Sequence, residues 1–246
     1  MIKYIILGIT QGLTEFLPVS SSGHLVIMQR ILGLPGEELV LSVVLHLGTV
    51  LAILVFLYKD IIKLFRNFKL VLLILLVTVI TGAIGISGKD FFKSLFSGPE
   101  YSVLGLLATG IILILTKKIR GHGREDLNFK DALILGFTQA IAIIPGISRS
   151  GITISTLLFR GLSPDVVFRF SFLASIPVIL GAALLEVKDI SLSLQGHVSN
   201  LIAGFIFSFL AGIIALLLLR RIILNAKFHY FGYYCIIVAL LILLFI

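Results

Sequence analysis

The chain predicts an all-α integral membrane protein with six transmembrane helices plus two re-entrant helix pairs in an inverted-topology repeat. Three observations predict it. Of 246 residues 59% are hydrophobic and 13% charged, with mean hydropathy +1.17, whereas a soluble domain carries roughly 25% charged residues. Six segments are apolar enough to cross a bilayer. Two further apolar segments are each broken by a polar elbow, and the elbows match at one offset: 8–24, GITQGLTEFLPVSSSGH, and 136–152, GFTQAIAIIPGISRSGI. At that offset Gly8 meets Gly136, Thr10 meets Thr138, Gln11 meets Gln139, Ser20 meets Ser148, Ser22 meets Ser150 and Gly23 meets Gly151.

In chain order, the first broken segment is followed by spans at 39–57, 70–86 and 102–116, a charged loop at 117–131, the second broken segment, and spans at 166–185, 200–219 and 232–246. Each arm of a broken segment is too short to cross alone, so paired half-helices that enter and leave one face fit better than a span. The chain reads as a single membrane domain, 1–246, whose repeat halves are 1–116 and 132–246 joined by a cytoplasmic loop, 117–131. The later part of each half agrees more loosely, with 43–60 pairing with 171–188. Lys3 and the apolar run after it resemble the start of a signal peptide, but Gln11, Glu15 and Pro18 follow without a small-x-small site, and no processing is expected.

Basic residues set the orientation. Lys59, Lys63, Arg66 and Lys69, then Lys117, Lys118, Arg120, Arg124 and Lys130, then Arg220, Arg221 and Lys227 fall in loops on one side, which should be cytoplasmic. The other side holds Lys3, Arg30, Lys89, Lys93 and Lys188, with acidic Glu37 and Glu38. Both termini should face outward. The net charge of +8 is therefore a topology signal, and nucleic acid is not an expected partner. Three spans separate the repeats, so the second enters from the opposite face and the broken tips meet near the midplane. The lone Cys235 excludes an intrachain disulfide or a cysteine-based metal site and reads as a small packed side chain.

The elbows place costly groups in apolar sequence, and such residues usually do chemistry. Gln11 and Glu15, four apart, share a helix face and point to one place. A hard cation takes oxygen ligands of this kind, and with one firm carboxylate its site would be completed by the substrate. Serines before a new helix cap it, and its backbone N–H groups favour an anion. Ser148 and Ser150 flank Arg149, whose fork matches two phosphate oxygens. Two half-helix N-termini with Arg149 make a phosphate receptor, and a serine or His24 beside it supplies a nucleophile or proton carrier.

Plainer readings stand beside these. Ser20, Ser21, Ser22 and Gly23 also fit a capping hinge, Glu15 with His24 a packed polar pair, and Gln11 with Gln139 a bond across helices. Thr153 fits back-bonding within its helix as well as phosphate contact. His46, mid-span with no ionisable neighbour in sequence, reads as packed. Arg160 and Arg169, near cytoplasmic ends, read as anchors. The glycines from Gly204 to Gly212 permit close helix packing, either internal or between copies.

EFLPVSSSGH with the preceding Gln11, and PGISRSGIT, closely resemble the paired motifs of the undecaprenyl-diphosphate phosphatases of the bacitracin-resistance type, over essentially the whole chain. The resemblance implies a cytoplasmic-membrane hydrolase that removes the terminal phosphate of a C55 polyprenyl diphosphate, returning the monophosphate carrier lipid to cell-wall synthesis. It implies a divalent cation, Mg or Ca, at Glu15 and Gln11, with the neutral Gln11 lowering the negative charge of that site. It places catalytic roles on Ser21, His24, Glu15 and Arg149, and substrate binding on Ser20, Ser22, Ser148, Arg149, Ser150 and Thr153, in a site opening outward. Ser21 is the preferred nucleophile, with His24 taking its proton or protonating the leaving group; His24 or water as direct nucleophile stays open. The expected partners are the lipid substrate and the surrounding membrane, and a homodimer is compatible with the chain.

Broken inverted repeats also build secondary transporters, so a transporter or flippase for a lipid phosphate or other anion is the competing function. It needs two gates and no nucleophile. Ser21 and His24 beside Glu15 and Arg149 favour hydrolysis.

Overall fold

The computed structural model describes residues 1–34, 38–96, 98–119, 123–187 and 198–244. Glu37, Arg120, Lys188 and the last two residues of the final expected span lie outside the described residues. Among the described residues twelve α-helices run in order: α1 Ile2–Phe16, α2 Ser21–Leu32, α3 Glu38–Phe56, α4 Tyr58–Leu64, α5 Phe68–Ser87, α6 Lys89–Ser94, α7 Pro99–Leu115, α8 Phe129–Ile141, α9 Arg149–Phe159, α10 Pro164–Val187, α11 Val198–Leu224 and α12 Tyr230–Leu243. Among the described residues, α5, α7, α10 and α11 are long and apolar enough to cross a membrane. A fifth is reached if α3 and α4, bent by 76° at Leu57, count as one span; α12 is apolar but shorter. The protein is a multi-pass membrane protein, and α4 and α6 are short helices that the apolar pattern did not separate.

Local chemistry sets the boundaries. Asn67 caps α5 by accepting from the Leu70 N–H at 3.0 Å, and Asn128 with Asp131 forms a capping box at α8. Gly33, with φ of 61°, ends α2 in the left-handed conformation. Five helices of the first half have counterparts 128 residues on: α1 with α8, α2 with α9, α3 with α10, α5 with α11, and α7 with α12.

Packing crosses between these halves. The α1 helix lies on α11 and α8 lies on α5. Glycine permits the first contact: a Cβ on Gly12 would sit 2.7 Å from Ala211 Cβ and 2.8 Å from the Gly212 nitrogen, and one on Gly48 of α3 would sit 2.7 Å from the Phe205 carbonyl. The small residues of α11 thus serve internal packing, where backbones approach closely and dispersion contacts accumulate. Ser208 adds a hydrogen bond to the Leu45 carbonyl at 2.8 Å, and Thr81 of α5 donates to the Gly136 carbonyl at 3.1 Å. The core beneath the elbows holds edge-to-face rings: Phe16 on Phe172 at 5.5 Å and Phe168 on Phe172 at 5.0 Å. Leu72, Leu75 and Val79 of α5, and Ile206, Leu210 and Ile214 of α11, point outward, the arrangement expected where hydrocarbon is the solvent.

The three basic loops meet at one end. Arg169 bonds Asp60 at 3.1 Å and Asp165 at 2.7 Å, and Arg220 bonds Asp165 at 3.0 Å. Beside them, Asp131 accepts from Arg124 at 2.5 Å and from Arg160 at 2.9 Å. The Arg124 backbone also pairs with Gly161 and Ser163, each at 2.9 Å. Arg160 and Arg169 anchor this end through carboxylates.

Candidate active site

The first elbow forms because Leu17 leaves the helix with extended backbone and Pro18 follows. Ser20 then takes φ of 65°, unusual for a residue with a Cβ, before α2 begins. The second elbow breaks at Pro145 and Gly146, the latter with φ of 84°, and restarts at Ser148, which caps α9 by accepting from the Gly151 N–H at 3.2 Å. Each elbow is held by the last helix of the other half. Thr109 of α7 donates to the Gly146 carbonyl at 3.3 Å and accepts from the Ser148 N–H at 3.0 Å, while Cys235 of α12 donates to the Pro18 carbonyl at 3.3 Å. Cys235 therefore supports an elbow as well as packing.

Glu15, in the last turn of α1, is the hub. Its Oε2 accepts from Ser21 Oγ at 2.6 Å and from Gln11 Nε2 at 3.1 Å, and its Oε1 accepts from the Arg149 guanidinium. Its side chain is 2% exposed, against 21% for that of Arg149. The two elbows thus meet through a buried charge pair, and Ser21 directs its proton to the same carboxylate. Ser20 Oγ lies 3.3 Å from Ser22 Oγ, and Ser148 Oγ 3.2 Å from Ser150 Oγ, so the matched serines form matched pairs. A cavity of about 180 Å³ opens over this arrangement, lined by Glu15, Ser20, Ser21, Ser22, Ser148 and Arg149, with Phe96 at its side.

Four of the site residues expected from sequence do not line that cavity: Gln11, buried behind Glu15, Ser150, which lines a small crevice with Thr153, and His24 and Thr153 themselves. His24 bonds the Ser20 carbonyl through Nδ1 and Tyr234 Oη through Nε2, each at 2.8 Å, and stacks on the Tyr234 ring. Both ring nitrogens are engaged away from Ser21, whose proton faces Glu15. Thr153 Oγ1 bonds the Arg149 carbonyl at 2.8 Å and Ser171 Oγ at 2.6 Å, the back-bonding arrangement, and lines a small crevice behind Arg149. Gln11 and Gln139 do not bond each other: Gln139 Nε2 donates to Thr81 Oγ1 at 3.4 Å.

The histidine that lines the cavity is His46. Its Nδ1 lies 2.8 Å from the Ser42 carbonyl and its Nε2 3.7 Å from Glu15 Oε2. No ionisable group is near it along the chain, which is why the sequence alone reads it as packed; its neighbour in space comes from α1. The available signal was the cost of an imidazole inside an apolar helix, the same argument that singled out Glu15.

Among the described residues no cluster of three His, Cys, Asp or Glu side chains could hold a metal ion. Gln11 Oε1 is nevertheless buried without a hydrogen-bond partner beside the Glu15 carboxylate. One carboxylate, one orphaned amide oxygen and nearby hydroxyls fit a divalent cation as a part-site that substrate oxygens complete.

Comparison with known proteins matches residues 4–241 to the family of the bacitracin resistance protein BacA. The chain is 44% identical over 250 residues to an undecaprenyl-diphosphatase of Halothermothrix orenii, covering 98% of this chain and 96% of that one. It is 41% identical to an undecaprenyl-diphosphatase of Alkaliphilus metalliredigens, over 99% and 98% of the two chains, and 38% identical to one of Methanosphaera stadtmanae, over 98% and 96%. With a whole-length family match and relatives covered end to end, the chain belongs to the bacitracin resistance protein BacA family.

Proposed function

We propose that the protein is an undecaprenyl-diphosphate phosphatase, hydrolysing the terminal phosphoanhydride of the lipid to give undecaprenyl phosphate and inorganic phosphate at the meeting point of the elbows. The observation that carries the site is the convergence of Ser21, Glu15 and Arg149 at one cavity. A nucleophile, a base holding its proton and an anion receptor are what phosphoryl transfer requires.

In the proposed reaction Ser21 Oγ attacks the terminal phosphorus and its proton passes to Glu15 Oε2, 2.6 Å away. The anhydride P–O bond breaks and undecaprenyl phosphate departs. Phosphate has its second pKa near about 6, so this leaving group needs no proton at neutral pH; His24 then has no obligatory acid role and positions Ser20 at the start of α2. Arg149 neutralises charge on the phosphoryl oxygens, aided by N–H groups at the starts of α2 and α9. Glu15 releases the serine's proton to solvent through the cavity; water then attacks the phosphoserine, giving one proton to Glu15, which passes it to Ser21 Oγ as the Ser21–phosphorus ester bond breaks and phosphate leaves. Glu15 and Gln11 would hold the divalent cation, Mg or Ca, which when bound supplies further charge neutralisation on the diphosphate. Ser22 and Ser148 supply hydroxyls around the same oxygens, and Ser150 holds the Ser148 hydroxyl from behind.

The finer topology belongs to this proposal: six spans with α1–α2 and α8–α9 as re-entrant pairs in an inverted repeat, basic loops in the cytoplasm, termini and site facing outward. Its support is the helix-by-helix correspondence of the halves, the reciprocal packing of α1 on α11 and α8 on α5, and the gathering of the basic loops at one end. Purified protein in detergent, given undecaprenyl diphosphate with Mg or Ca, should release one phosphate per lipid and stop when the cation is chelated. No release with either cation contradicts the reading.

A further inference from the structure

Resting on the phosphatase reading, we propose that the polyprenyl chain leaves the active site between α3 and α10, its first isoprene units lying against Val43, Val178, Ile179, Ala182 and Ala183. A second cavity, about 170 Å³, occupies this position; its remaining lining residues are His46 and Arg149, which also border the serine-lined cavity. The two cavities therefore share His46 and Arg149 and differ in the rest of their lining: the first carries the elbow serines and Glu15, with Phe96, Ala142, Ile143 and Ile147 beside them, whereas the second is otherwise entirely aliphatic. A prenyl diphosphate has the same construction, an anion joined through one oxygen to a hydrocarbon chain. With the anion on Arg149, the chain has an apolar wall immediately beyond the guanidinium, where burial gains about 25 cal/mol for each Å² removed from water.

The wall continues to the outer surface of the bundle. Ile179 and Ala183 are buried while Ala182, between them on α10, is exposed. Leu47, Leu180 and Leu184, next to lining residues along α3 and α10, are exposed, so the surface around these helices is apolar. Pro177 lies inside α10, which continues through it to Val187. Beyond Leu180 the helix carries small residues, Gly181, Ala182 and Ala183, and a Cβ added at Gly181 would meet nothing within 4 Å. A cavity of about 330 Å³ between α4, α5 and α10 offers no such continuity, because its edge carries Asp60, Lys63, Lys69 and Asp126 and it does not reach Arg149.

Two measurements on the full chain in detergent test the groove. First, an undecaprenyl diphosphate analogue with a diazirine in its first isoprene unit is photolysed on wild-type protein and the adducts are mapped. Adducts on α3 and α10 near Val43 and residues 178–183 are expected; adducts confined to other helices overturn the proposal. Second, Ala182→Phe, at an exposed position, should raise KM for undecaprenyl diphosphate about tenfold or more, the scale on which small hydrophobic contacts discriminate, with kcat little changed; an unchanged KM overturns it. Wild-type phosphate release is measured alongside. If wild type releases none, the phosphatase reading fails; if it does while adducts and KM go the wrong way, the groove alone fails.

Discussion

Glu15 and Arg149 lie 134 residues apart in the chain, one at the end of α1 and the other at the start of α9, and the guanidinium of Arg149 donates to Glu15 Oε1. The pair ties the two elbows together. In the proposed reaction its members are the acid–base group and the anion receptor.

Because Glu15 is buried, removing only its partner leaves an uncompensated charge, a change that costs about 3–5 kcal/mol in buried pairs. Arg149→Met should lower thermal stability in detergent, and Glu15→Gln with Arg149→Met together should recover most of it while remaining inactive. A double variant as unstable as Arg149→Met would show that the charge pair is not the cause.

Ser21→Ala should reduce phosphate release on the order of 10³-fold or more, as loss of a nucleophile does, with the fold retained. Acid quenching of wild type during turnover of terminally labelled lipid should place the label on Ser21. Label on His24, or full activity in Ser21→Ala, contradicts the assignment.

How much of this site was legible beforehand depends on what joins its parts. Gln11, Glu15 and Ser21 are close along the chain, so helical spacing and an elbow suffice to bring them together. Arg149 was reached through the repeat offset, which sets it opposite Ser21. The expected spans coincide with α3, α5, α7, α10, α11 and α12, of which α5, α7, α10 and α11 are long and apolar enough to cross a membrane among the described residues. His46 was not legible as a site residue, because its approach to Glu15 depends on how α3 packs beside α1. The orientation of His24 was equally hidden: its partner Tyr234 is 210 residues away on α12. The seating of α1 on α11 follows from small residues in both helices, yet glycine content alone does not say which backbones meet.

That seating gives a contrast between two glycines. Gly12→Val should destabilise the protein by about 3 kcal/mol or prevent folding, since added methyls meet Ala211 and the Gly212 backbone and α1 has no room to retreat. Gly23→Ala, whose Cβ would meet only Ser20 Oγ at 3.8 Å, should be tolerated and raise stability by about 0.5–1 kcal/mol through helix propensity. Thermal unfolding of the two variants tests this, and equal destabilisation contradicts the packing.

At the basic end, burial of the Asp131 carboxyl opposes its ionisation, but hydrogen bonds from Arg124, the Asn128 N–H and Arg160 outweigh that and hold its pKa below the ordinary aspartate value. A carboxylate with a lowered folded pKa contributes stability that is complete above its unfolded pKa, about 3.9, and is lost as pH falls through the folded value. Asp131→Asn should therefore cost about 2 kcal/mol at pH 7, the scale of charged hydrogen bonds. The gap to wild type should hold down to about pH 5 and shrink below about pH 4. Melting both proteins across that range checks it; a gap that widens in acid contradicts the ion-pair account.

The most direct measurement is phosphate release from undecaprenyl diphosphate by wild type, Glu15→Gln and Arg149→Met, each first shown to be folded, at saturating Mg or Ca. The account predicts release by wild type and a loss of about 10²-fold or more in each variant, the scale of a lost charge-stabilising or proton-transfer group. Near-wild-type release by a folded Glu15→Gln or Arg149→Met would contradict the placement of the reaction where the two elbows meet.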